Sequence, residues 1–236
     1  MKFHTSASIL FDGQNAITFK EPFQFPYTDI KVTMTSTEKG IDLLMDIGED
    51  DAAYAKTTAE VLLFKVANVL AWSYSLSIAS SRVTGMTYSQ DNGAKHAMVI
   101  TDSISITGEV SFSIGLGEDS LRTIAGSITK TYQPEQEDLL LMWREAMDQS
   151  NPVVKFLLLF RILDKVKGTR VKADKWIRSE DPTIDIRKGQ FGEDVSVLTY
   201  LRDHIHAKTA SFPFDEVANK LPRIHTMARK AIEGAL

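Results

Sequence analysis

Apolar and polar residues alternate through much of the first 130 positions, and near residue 132 that period-two texture gives way to apolar residues spaced three and four apart. Alternation places successive side chains on opposite faces of a strand, whereas the longer spacing gathers them on one side of a helix. Residues 25–35 and 41–47 flank Lys39-Gly40 as a predicted hairpin, and residues 97–107 and 109–116 flank Gly108 as another. Alternation is clearest in the second, at Ile104, Ile106, Val110, Phe112 and Ile114. Between them, residues 51–81 carry Ala53, Val61, Leu62, Phe64, Val66, Val69, Leu70 and Trp72 without Gly or Pro, which predicts one long helix packed on an antiparallel sheet.

Past Gln133, Pro134 is followed by Glu135, Glu137 and Asp138, a start with acidic residues in the first turn, where they meet the positive end of the helix dipole. Ser150-Asn151-Pro152 then caps a helix over 153–167, with Phe156, Leu159, Phe160 and Leu163 on its apolar side and Gly168 at its end. Two more helices are expected at 193–208 and at 215–234, the latter broken at Pro222. The pattern therefore predicts an α+β chain: an antiparallel sheet with a long packed helix over residues 1–132, then an all-α unit over 133–236.

Composition narrows the chemistry. With 43% hydrophobic and 25% charged residues, the chain has the balance of a folded globular protein. Cysteine is absent, which removes disulfides, thiolate ligands and cysteine nucleophiles and fits a reducing compartment, so a cytoplasmic location is expected. Neither a basic leader followed by an apolar run nor a long uncharged apolar stretch occurs, so no membrane association is expected. A net charge of −4 gives no overall attraction to polyanions, but the first 132 residues carry −5 and the remainder +1. Between residues 155 and 178, Lys155, Arg161, Lys165, Lys167, Arg170, Lys172, Lys175 and Arg178 face only Asp164 and Asp174. Such a run serves either as a solvated helical face followed by a basic loop or as a phosphate-binding groove.

Glycine-rich phosphate loops, His-Glu-x-x-His and Gly-x-Ser-x-Gly are absent, and no metal or other cofactor is expected. His204 and His206 stand two positions apart, about 200° around a helix, and cannot hold one ion together. Arg202 and His206 are four apart and share a face. A permanent cation beside a group that titrates near neutrality suits metal-free phosphodiester cleavage, with Asp203 placed to orient the arginine; an ordinary surface helix with basic residues at its C-terminal end has the same spacing.

The segments Asn151-Pro-Val-Val-Lys-Phe-Leu-Leu-Leu-Phe-Arg161 and Tyr200-Leu-Arg202-Asp203-His204-Ile-His206-Ala-Lys resemble bacterial members of the HEPN superfamily, of the MauJ-like or ApeA-like kind, over roughly residues 135–235. The resemblance implies a four-to-five-helix bundle, commonly dimeric, whose active members are metal-independent ribonucleases of toxin or antiphage systems. It assigns Arg202, Asp203 and His206 to catalysis, although three residues separate Arg202 from His206, one fewer than the family pattern. Lys165, Lys167, Arg170, Lys172 and Lys208 are the candidate RNA or phosphate contacts. The expected partners are RNA or a nucleotide and a second copy of the chain, with a protein or ligand at the N-terminal unit. Three readings stay open: an endoribonuclease, a noncatalytic RNA-binding or protein-interaction module, and a small-molecule-binding protein with its site in the sheet unit.

Overall fold

A computed structural model describes residues 2–12, 15–48, 51–89, 95–99, 112–207 and 214–236. The chain divides into two compact units, Met1–Thr131 and Tyr132–Leu236. The first holds β1 (Lys2–Phe11), β2 (Asn15–Thr18), β3 (Phe23–Tyr27), β4 (Ile30–Ser36), β5 (Gly40–Ile47), α1 (Ala52–Tyr74), β6 (Ile78–Ser89), β7 (Lys95–Val99), β8 (Phe112–Gly115) and α2 (Glu118–Thr129). The second holds α3 (Pro134–Met147), α4 (Pro152–Lys167), α5 (Arg170–Glu180), β9 (Ile186–Lys188), β10 (Asp194–Ser196), α6 (Val197–His206) and α7 (Phe214–Glu233). The architecture is α+β, as the hydrophobic pattern predicts.

In the first unit, an antiparallel sheet runs in the order β3-β4-β5-β1-β6-β7. Register follows from alternation: Phe3, Thr5, Ala7 and Ile9 of β1 stand opposite Ile47, Met45, Leu43 and Ile41 of β5, and all eight are buried. The intervening positions form the polar face, where His4 Nδ1 lies 2.6 Å from Asp46 and Ser8 donates to Asp42 at 2.6 Å. At the end of β5, a side chain on Gly40 would lie 1.9 Å from the Ile9 carbonyl oxygen, so the approach of β1 admits only glycine there. Asp51 accepts from the Ala53 N–H at 2.8 Å and starts α1, whose last turns, from Val66 to Ala71, are buried. α1 packs on β6, β1 and β5 and against α2.

Several boundaries differ from the sequence expectation. The long helix ends at Tyr74 rather than residue 81, because Ser75 turns left-handed (φ 55) and the stretch from Ile78 onward, Ile-Ala-Ser-Ser-Arg-Val, enters β6. The 25–35 segment is two strands, β3 and β4, joined at Thr28-Asp29, and β4 pairs antiparallel with β5. The Gly108 hairpin lies mostly outside the described residues; its final stretch is β8, which pairs parallel with β2.

α4 is the centre of the second unit, packing against α3, α5, α6 and α7. Asn151 caps it by accepting from the N–H groups of Val153 and Val154, and Gly168 (φ 87) closes it. Phe156, Leu159, Phe160, Ile162 and Leu163 of α4 form the core with Trp143, Ile177, Leu198, Leu201 and Ile224. The stretch read as a basic loop after Gly168 is helix α5, started by Thr169, which accepts from the Lys172 N–H. The helix expected at 193–208 begins only at Val197, because Asp194–Ser196 pair with Ile186–Lys188 as a hairpin. Pro222 sits inside α7 without ending it. Among the described residues, no helix is long and apolar enough to cross a membrane.

Candidate functional site

Helix α6 carries the candidate residues, and its N-terminus is fixed from two directions. Ser196 caps it through Thr199, while the Ser196 N–H donates to the buried Asp174 of α5 at 2.8 Å. Asp174 also lies 3.0 Å from Arg178. Leu198 and Leu201 are buried in the core, so α6 turns Arg202, Asp203 and His206 outward on its last two turns.

Arg202 is held by two carboxylates. Its Nη1 donates to Asp203 at 3.1 Å and its Nη2 to Asp164 of α4 at 3.3 Å, and the guanidinium carbon lies 5.7 Å from the centre of the Phe160 ring. Asp203, 14% exposed at its side chain, also accepts a bidentate grip from Arg170, whose Nη2 donates to Glu193 at 3.1 Å. The result is an alternating chain of charge, Glu193–Arg170–Asp203–Arg202–Asp164, running from the β9–β10 hairpin across α5 and α6 to α4.

Burial and pairing set its electrostatics. Desolvation raises the Asp164 carboxyl above its ordinary range, opposed by Arg202, and its Oδ1 is buried with no hydrogen-bond partner. The bond to Asp203 raises Arg170 further, so that cation is permanent. Glu193 is lowered, first by its own backbone N–H and then by Arg170 and the Phe191 N–H.

Arg202 and the exposed His206 together line two clefts. One, of about 280 Å³, is walled by Leu157, Leu158, Phe160, Arg161 and Asp164 of α4. The other, of about 390 Å³, is walled by Arg170, Gln190, Phe191, Asp203 and Ala207. His204 does not line either cleft: its Nδ1–H donates to the Tyr200 carbonyl at 3.0 Å, its ring lies 3.9 Å from that of Tyr200, and it borders an adjoining cleft with Lys188 and Gly189 that shares Gln190, Asp203 and Ala207 with the second. Among the described residues, no group of three His, Cys, Asp or Glu side chains is placed to hold a metal ion.

The basic candidates scatter. Lys165 pairs with Asp138 of α3, and the Lys167 ammonium sits 4.0 Å above the Trp176 ring. Lys172 is exposed on α5, and Lys208 lies outside the described residues. Of the five, Arg170 alone among the described residues reaches the Arg202 clefts. Sequence reading missed Asp164 and Glu193 as partners and Phe191 as a wall. The charge run gives only a weak hint of Asp164, and Glu193 stands where the sequence pattern places a helix start.

No family model matches this chain, and neither does any curated protein or solved structure.

Proposed function

We propose that the helical unit is a HEPN-like effector that cleaves RNA without a metal ion, with the sheet unit serving as a sensing or partner-binding module. The observation that carries this reading is that Arg202 and His206 open onto the same two clefts, with the guanidinium fixed by Asp164 and Asp203. The five helices among the described residues of the second unit fit the bundle implied by the resemblance. In the proposed reaction His206 accepts the proton of a ribose 2′-hydroxyl as its oxygen bonds to phosphorus. The P–O5′ bond breaks, the 5′-oxygen takes a proton from solvent, and a 2′,3′-cyclic phosphate remains. Arg202 stabilises the charge that grows on the phosphoryl oxygens, using guanidinium donors beyond the two engaged by carboxylates. A cytoplasmic toxin or antiphage role and a homodimer belong to the same proposal.

One feature favours a noncatalytic second reading. Asp164, Asp203 and Glu193 outnumber Arg170 and Arg202, so this charge chain presents no excess positive charge to a phosphate. A noncatalytic RNA-, nucleotide- or protein-binding module would tolerate that balance. Incubation of the full chain with tRNA and total RNA in EDTA separates the two: cleavage with 2′,3′-cyclic phosphate ends supports the ribonuclease, and bound but intact RNA supports the binding module.

A further inference from the structure

Phe191 is 84% exposed, more than any other large apolar side chain among the described residues. Its position is built. The turn between β9 and β10 is closed by the Gly189 N–H donating to the Glu193 carbonyl at 2.8 Å and by the Gly192 N–H donating to the Gly189 carbonyl at 3.0 Å. Gly192 takes φ +81, which requires glycine at that position of the turn, and a side chain on Gly189 would come within 2.6 Å of the Glu193 carboxylate and displace it from its present position. Glu193 accepts the Phe191 N–H at 3.0 Å with one oxygen and Arg170 with the other. The residue that fixes the backbone of Phe191 is therefore also an end of the charge chain that holds Arg202.

That places a solvent-facing ring on the wall of the 390 Å³ cleft shared by Arg170, Arg202 and His206, with the Gln190 amide beside it. A cleft of this size accepts one nucleotide unit. An aromatic face next to guanidinium and imidazole groups matches what an unpaired nucleotide presents: a flat base to stack and a phosphate a few ångströms away. A duplex keeps its bases stacked inside and offers nothing to the ring.

Resting on the ribonuclease or RNA-binding reading above, we infer that Phe191 is the base-stacking platform of a subsite that takes an unpaired nucleotide of RNA in this cleft. Selection among bases through stacking is weak, because every base has a π-face. Discrimination falls instead between unpaired and paired RNA.

The test uses full-length protein and fluorescence anisotropy with labelled ten-nucleotide single-stranded RNAs of mixed sequence and a matched duplex. Phe191→Ala weakens single-strand binding about 5- to 150-fold, the loss associated with one stacked base, and removes most of the preference over duplex. Phe191→Trp keeps wild-type affinity. The dependence on salt is the same in wild type and Phe191→Ala, since stacking releases no counterions. Wild type that binds single strands while Phe191→Ala binds them within twofold overturns the stacking platform and leaves the RNA reading standing. The same follows if Phe191→Ala changes only self-association in sedimentation. Wild type that binds no single-stranded RNA overturns both.

Discussion

Among the described residues, the sheet of the first unit pairs carboxylates with imidazole and hydroxyl on its polar face, as in the His4–Asp46 and Ser8–Asp42 contacts, above a core of Ile, Leu, Met, Phe and Val. The helical unit instead threads half-buried charge between its elements: Arg170 to Asp203 and Glu193, Arg202 to Asp164, Arg187 to Glu216, and Arg223 to Asp181. Groups held away from their ordinary protonation range gather there, including Asp164, Arg170, Asp181, Arg223 and His225. A sheet is satisfied by its own ladder, whereas short helices joined at their ends pair side chains to fix their neighbours, and those pairs surround the candidate site.

The largest effect expected from breaking this contrast lies in the two cores. Trp143→Ala should cost about 3–5 kcal/mol and Leu43→Ala about 2–5 kcal/mol. In urea unfolding followed by circular dichroism, the first should shift the helical transition and the second the sheet transition; a common shift in both variants would show one cooperative core.

Asp203→Ala comes next. It leaves Arg170 and Arg202 without their shared acceptor, at about 1.5–3 kcal/mol in chemical denaturation. Its counterpart in the sheet unit, Asp46→Ala, removes an exposed contact of about 0–1 kcal/mol. Equal losses would erase the difference between the units.

Local signals made much of the second unit legible. Asn151 and Gly168 mark both ends of α4, and four-residue spacing puts Arg202 and His206 on one face. The partners were not legible, because Asp164 reaches Arg202 from 38 positions away and Asp203 reaches Arg170 from 33. α2 was hidden for another reason: its β-branched Thr and Ile resemble strand and Gly126 disfavours helix, although Leu121, Ile124, Ala125 and Ile128 recur at helical spacing. The hairpin that carries Phe191 has three-residue strands, too short for alternation to register.

Acid should separate the units by a smaller margin. Burial lowers His225, aided by Lys155 and Arg229, so the folded state favours neutral imidazole. As pH falls through about 6.5 the unfolded chain takes up that proton first, and the helical unit loses stability until the folded value is reached. Asp181, lowered to about 2 chiefly by its bond from Arg223, adds a second loss as pH falls from near 4 toward 2. Asp164 acts in the opposite sense, because its raised carboxyl is relieved by protonation. His225→Phe should flatten the stability profile just below pH 6.5; an unchanged profile would remove His225 from the account.

Lys188→Ala should have the smallest effect, with no resolvable change in stability, since both partners of the Lys188–Asp194 pair are well exposed. A resolvable loss in thermal melting would mean that the hairpin depends on its surface pair.

Single-turnover cleavage of single-stranded RNA in EDTA by wild type, His206→Ala and Arg202→Lys tests the central claim most directly. Wild type should cleave, His206→Ala should lose about 10²–10⁴ in rate with RNA affinity retained, and Arg202→Lys should also fail, because a point charge cannot replace the planar fork. Equal rates in wild type and His206→Ala, or cleavage that stops in chelator, would contradict it.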